Sequence, residues 1–166
     1  MENLLMFLAT SLVLRIPKPK FKRYLIGSGY SALLVSGHNT LHYKTTKEGD
    51  RVYFYDQLVG DVTYGLITVQ MKELYTLHQA ENILVQYING LRKPLGIAYN
   101  ISMEIEKNEG ILTITDYWQD EKGIDWKVTG HTNGKTIAVL YVKNIGSSPV
   151  KEHDAFLNGF RFSKFS

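Results

Sequence analysis

The chain has 166 residues, of which 44% are apolar and 21% charged, and its formal net charge is +3. That length carries one domain with a real hydrophobic core, and so small a positive excess gives no reason to expect nucleic acid as a partner. There is no cysteine, which excludes disulfides, thiolate zinc sites, iron–sulfur clusters and cysteine nucleophiles together.

The first segment reads "MENLLMFLATSLVLRIPKPKFKR". Its apolar run, residues 4–14, is about 11 residues, where a membrane span needs roughly 20. The run has the length of the hydrophobic stretch of a secretory signal. Glu2 precedes it, no small-x-small cleavage site follows, and Arg15, Lys18, Lys20, Lys22 and Arg23 oppose export through it. Three readings stay open: a degenerate signal peptide, a native helix packed on the domain, or an interfacial anchor with a basic flank. Pro17 and Pro19 end any helix near Leu14 or Arg15. Residues 1–20 are therefore set apart from a single domain over 21–166, and membrane contact is confined to residues 1–23. Export to the periplasm or cell surface is the expected address, with the cytoplasm as the alternative.

From Phe21 the pattern is of strands around one strong helix. "FKRYLIGSGYSALLVSG" places Gly27 and Gly29 between two apolar stretches, as a hairpin or a glycine-bent strand. "KTTKEGD" reads as a polar turn. "RVYFYDQL" reads as a strand with Val52 and Phe54 facing away from Tyr53 and Tyr55. "VTYGLITVQMK" is a strand with Val62, Tyr64, Leu66 and Thr68 on one face. In "TLHQAENILVQYINGLRKP", Leu77, Ala80, Ile83, Leu84, Tyr87, Ile88 and Leu91 follow helical spacing. Thr76 and Gln79 form a capping box there, and Gly90 and Pro94 mark the end.

A strand meander follows. "GILTITDYWQ" alternates, with Leu112, Ile114 and Trp118 on one face. "IDWKVTGHT" returns the chain with Ile124, Trp126 and Val128 together, and Asn133-Gly134 is a hairpin signal. "KTIAVLYVKN" is apolar on both faces, which places it centrally in the sheet. "SSPVKEHDAFLNGF" reads as a short helix capped by Ser148 with Pro149 in its first position, and "FRFSKF" as a last extended stretch. Strands, long helix, meander and short helix make an α+β domain. It has an antiparallel β-sheet, with a long central helix and a short C-terminal helix both covering one face.

The close of the chain, "VLYVKNIGSSPVKEHDAFLNGFRF", resembles the end of PsbP-like domains, where a segment of the form F-L-x-S-F-x-F completes the fold. The helix before the meander and the opening "GSGYSALLVSG" stand in the matching places, so the resemblance spans roughly residues 21–164. That family includes the extrinsic photosystem II subunit, a Ran-binding nuclear import factor and DcrB-type bacterial lipoproteins. The resemblance implies a PsbP-like α/β sandwich in an uncharacterised bacterial branch. It carries no shared catalytic motif and so transfers no functional residue. This chain lacks the lipobox cysteine of the lipoprotein branch.

His38 and His42 in "GHNTLHYK" stand four apart, the spacing at which two imidazoles on a helix share a metal. Gly37, Asn39 and Thr40 disfavour a helix, and on a strand four residues span about 13 Å, too far for one ion. The pair is a weak metal candidate, and no cofactor is expected. His78, His131 and His153 sit in no nucleophile motif, and the chain has no G-x-S-x-G, P-loop or G-x-G-x-x-G pattern. Asp116, Asp120, Glu121 and Asp125 gather at the first meander turn, and Glu104, Glu106 and Glu109 precede it. Solvated turns collect acids, so an acid–base pair is the minor reading.

Tyr53, Tyr55, Tyr117, Trp118 and Trp126 are the candidate ligand or partner surface, against the alternative that they are core or cross-strand pairs. The expected function is a non-catalytic binding or accessory module engaging a protein partner or a small ligand through the open sheet face. Two alternatives stand beside it: an enzyme with a His/carboxylate site, and an envelope protein tethered by its N-terminal segment.

Overall fold

The computed structural model describes residues 18–37 and 41–162; the apolar run at 4–14, His38 and the end of "FRFSKF" lie outside them. In chain order the elements are β1 (Phe21–Ile26), β2 (Tyr30–Val35), β3 (His42–Thr45), β4 (Arg51–Val59), β5 (Val62–Gln70), α1 (Leu77–Arg92), β6 (Ile97–Asn108), β7 (Ile111–Asp120), β8 (Asp125–Thr132), β9 (Thr136–Lys143), a 3-10 turn (Ile145–Ser147) and α2 (Val150–Leu157). Seven strands form one antiparallel sheet in the order β3-β4-β5-β9-β8-β7-β6, and β1 and β2 pair as a separate antiparallel hairpin. The fold is α+β. Among the described residues no helix is long and apolar enough to cross a membrane.

Strand β9 is the middle strand, as its two apolar faces require. Ile137, Val139 and Tyr141 belong to one buried cluster, and Ala138, Leu140 and Val142 to another. The sheet therefore needs cover on both sides. On one side lies α1, whose Ala80, Leu84 and Ile88 are buried. Its start is the capping box: Gln79 N donates to Thr76 Oγ1 at 3.3 Å, and Thr76 N donates to Gln79 Oε1 at 3.0 Å. The chain leaves β5 near the sheet centre and must reach β6 at the edge, so α1 crosses over β8 and β7. The approach is close, for a β-carbon on Gly130 would lie 2.7 Å from Ile88 Cδ1.

The expectation that both helices cover one face is corrected here. Helix α2 packs on the other face, against β9 and β2. Its Phe156 and Leu157 are buried with Tyr64, Leu140, Val142 and the hairpin residues Ile26, Ala32 and Leu34. The physical reason is the two-sided apolarity of β9 and β5, which one helix cannot cover. Helix α2 also begins one residue later than expected. Pro149, at φ −59° and ψ 136°, is still extended and takes the cap position, and the Ser148 hydroxyl bonds Tyr64 Oη at 2.9 Å instead of capping.

Two strands have no counterpart in the sequence reading. Strand β3 occupies part of what reads as loop and polar turn, and β6 is a 12-residue edge strand. Register shifts between Ile97 and Tyr99 and between Asn100 and Ser102 break the alternation of β6. Its residues are largely exposed, so burial leaves no period to read. The topology leaves half of each face open. On its side α1 packs on β8 and β7, burying Val52 and Val69 but leaving His42, Lys44, Phe54 and Asp56 exposed, while the hairpin and α2 leave β6 and β7 open on theirs.

Candidate ligand groove

The open half on the α1 side is a groove of about 510 Å³, within the size range of small-molecule sites. Strand registers build its floor. Across the sheet, Asp56 pairs with Gly65 and Gly65 with Tyr141; one step along, His42 pairs with Phe54 and Phe54 with Ile67; a further step along, Lys44 pairs with Val52 and Val52 with Val69. These nine residues share a face because side chains alternate along each strand. Tyr87 and Leu91 of α1 and Leu95 just after it line the groove as well. Phe54 is 41% exposed in it, and the His42 imidazole stacks on the Phe54 ring at 4.8 Å and 18°.

Gly65 shapes one end. A β-carbon there would overlap the Tyr141 ring, so the phenol lies in the space that any other side chain would fill. Burial, with the Asp56 charge adding to it, pushes the Tyr141 phenol up to about 12. Burial alone raises Tyr87. No hydrogen bond contributes to either shift, in contrast to Tyr55 and Tyr64, which are held by Val35 and Ser148. The groove thus has an apolar floor, two phenols with unused hydrogen-bonding capacity, and Asp56 at its rim.

Of the five aromatic residues expected to form a surface, Tyr55 borders this groove and Trp118 and Trp126 pack on each other at 6.4 Å, but the five do not make one surface. Tyr55 is buried in the hairpin-side cluster, with its hydroxyl accepting from Val35 N at 3.2 Å. Trp118 and Trp126 are buried in the α1-side cluster. Tyr53 is half-buried against Tyr43 at 4.9 Å, and Tyr117 is half-buried with Lys127 Nζ 5.6 Å from its ring. The residues that do converge, Phe54, Asp56, Tyr87, Leu91 and Tyr141, belong to two strands, β4 and β9, and one helix. Two periodic signals could have found some of them: Phe54 and Asp56 share a parity on β4, and Tyr87 and Leu91 share the apolar stripe of α1. Of the weak metal pair, His42 is exposed on the edge strand. Among the described residues no three His, Cys, Asp or Glu side chains gather as a metal set.

The meander acids are corrected more sharply. Asp116 and Asp120 are buried, not solvated. Each accepts an indole N–H: Trp118 Nε1 donates to Asp116 at 2.6 Å, and Trp126 Nε1 donates to Asp120 at 3.1 Å. They serve as acceptors for buried donors, and Arg92 pairs with Asp116 at 3.2 Å.

The open half of the opposite face is a hollow of about 750 Å³, with Glu106, Asn133, Asn158, Arg161, Phe160 and Phe162 around His131. His131 Nε2 lies 3.1 Å from the Leu157 carbonyl and Nδ1 lies 3.0 Å from Thr113 Oγ1. A carbonyl only accepts, so Nε2 carries the proton and Nδ1 accepts from the threonine. Burial holds the His131 pKa below its usual value, and burial does the same to His153. Both titrate near 6.5 when unfolded. Below that pH the unfolded chain takes up protons that the folded chain refuses. Stability is therefore complete above 6.5 and is lost as pH falls through the lower, folded values. Urea midpoints measured between pH 7.5 and 5 should fall, and H131Q should flatten the fall; an unchanged slope in that variant would assign it elsewhere.

No family model and no curated protein matches this sequence.

Proposed function

We propose that the protein is a non-catalytic binding module that holds a small, largely apolar molecule in the groove between α1 and strands β3–β5. One observation carries this: an apolar floor with Phe54 exposed and Ile67 half-buried lies open beside two phenols, the half-buried Tyr87 and the buried Tyr141, whose hydroxyls make no hydrogen bond among the described residues. Phe54, exposed on that floor, adds an apolar surface that a ligand would cover.

The finer fold reading belongs to the same proposal. We read the domain as a PsbP-like sandwich with α1 as its central helix. Support comes from the order helix, meander, short helix, and from the closing "FLNGFRF". An accessory, non-enzymatic role fits a family whose members share a scaffold without a shared catalytic motif.

The test uses N-phenylnaphthylamine, a neutral fluorophore that brightens in apolar sites. Binding should saturate, and Trp126 should report it, because its ring lies 5.4 Å from the Tyr141 ring. Leu91 is only half-buried on the groove wall, so L91W should fold while filling the space, and should weaken the probe at least about tenfold. Unsaturable binding, or L91W binding as well as the parent, would sink the reading.

A further inference from the structure

We infer that the ligand of this groove is an organic monocation, with an ammonium head beside Asp56 and an apolar body lying along β5 beneath α1. The inference rests on the groove being a ligand site, as proposed above, and adds the charge and orientation of what it holds.

Three observations point the same way. First, Asp56 lies on the groove face, one register step across Gly65 from Tyr141 and two residues along β4 from Phe54. A carboxylate is thereby flanked by two aromatic rings, the combination that recognises ammonium groups. Second, that carboxylate is uncommitted. The ion pairs among the described residues are Arg92–Asp116, Lys107–Glu81, Lys127–Asp154 and His153–Asp154, and Asp56 is in none of them. Third, the groove is asymmetric. Its lysine, Lys44, pairs with Val52 rather than with the Asp56 row, which puts it about 13 Å away along the strand. The other groove acid, Asp50, sits at the Lys44 end, where its Oδ1 accepts from Lys72 N at 2.9 Å.

Charge complementarity then decides the orientation. An anion at the Tyr141 end would face Asp56, while Lys143, one register row beyond Tyr141, holds its Nζ 5.2 Å from the Trp126 ring on β8, on the side of β9 away from β4. A neutral molecule would leave the carboxylate with water alone. A cation placed there meets a carboxylate and ring faces at once, and its apolar remainder follows Ile67 and Val69 toward Leu91 and Leu95.

The experiment competes three ligands of one shape against N-phenylnaphthylamine on the full chain at neutral pH: phenylbutylamine, phenylbutanol and phenylbutyrate. The amine should displace the probe at about tenfold lower concentration than the alcohol, and the carboxylate should be weakest. Asp56 is exposed, so D56N should keep its fold, checked by thermal unfolding. With each competitor referred to the probe affinity of the same variant, D56N should erase the amine's roughly tenfold advantage over the alcohol. Equal displacement by amine and alcohol, better displacement by the carboxylate, or an amine advantage that survives D56N would each overturn the inference while leaving a groove for neutral or anionic ligands. Failure of the probe itself to bind is a separate result, and it removes the ligand site and this inference together.

Discussion

D116A should lose about 3 kcal/mol of folding stability. The Asp116 side chain is fully buried, and its partner Arg92 is 28% exposed. Four donors meet on the one carboxylate. Oδ2 takes Arg92 Nη2 at 3.2 Å and the Trp118 indole at 2.6 Å; Oδ1 takes the Tyr117 backbone N–H at 3.0 Å and the Asn100 amide. Removing one member of a fully buried ion pair costs about 3–5 kcal/mol. Water recovers part of the solvation of the half-open guanidinium, which puts the loss at the lower end. The buried indole is a different matter, since an unsatisfied donor there costs about 1–3 kcal/mol by itself. D116N keeps an oxygen for the indole and gives up the charge, so it should fall between alanine and the parent. Urea unfolding followed by tryptophan emission measures both, with the midpoint moving and the slope constant. A midpoint that stays in place for D116A would mean that this carboxylate does not tie α1 to β6 and β7.

The role of Asp116 was within reach of the sequence. Leu112, Ile114 and Trp118 mark the core face of β7 by their period of two, and Asp116 and Asp120 have the same parity. A carboxylate at core parity two residues from a tryptophan is an acceptor for the indole. The competing habit of placing acids at turns hid it. Where periodicity is uninterrupted, local pattern and structure agree. The capping box at Thr76 and Gln79 is present, the Asn133-Gly134 turn joins β8 to β9, and the strand apolar on both faces is central.

Other features are decided by tertiary structure alone. The two apolar faces of β9 demand two covers, yet nothing local in α2 says which face it takes. Strand β6 lost its alternation to two bulges and to exposure at the edge. The groove is harder still. Its members run from His42 to Tyr141 and include ordinary apolar residues such as Val52, Ile67 and Leu91. Only the register Asp56–Gly65–Tyr141 and the packing of α1 on β8 and β7 bring them together. Three of the five aromatic residues conspicuous in the sequence, Tyr55, Trp118 and Trp126, lie in the core, as large side chains usually do.

G65A tests whether that register truly shapes the groove. Gly65 is not in a left-handed conformation, so alanine meets no backbone strain there; the cost is the Tyr141 ring alone, which a β-carbon would overlap at three atoms. Overpacking of this kind costs about 1–3 kcal/mol. The ring cannot retreat freely, because Trp126 packs against it at 5.4 Å and Lys143 Nζ lies 5.2 Å from the Trp126 ring. The direction left to it is outward over the groove. The variant should therefore lose stability and N-phenylnaphthylamine binding together, with a change in Trp126 emission in the absence of probe. Deleting the ring separates this from a general loosening of the sheet. In G65A/Y141A the overlap is gone, so the double variant should be more stable than the sum of the two single losses by about 1 kcal/mol or more, the coupling expected of residues in direct contact. Additive losses would place the Tyr141 ring away from Gly65 and leave the acidic end of the groove without its aromatic wall.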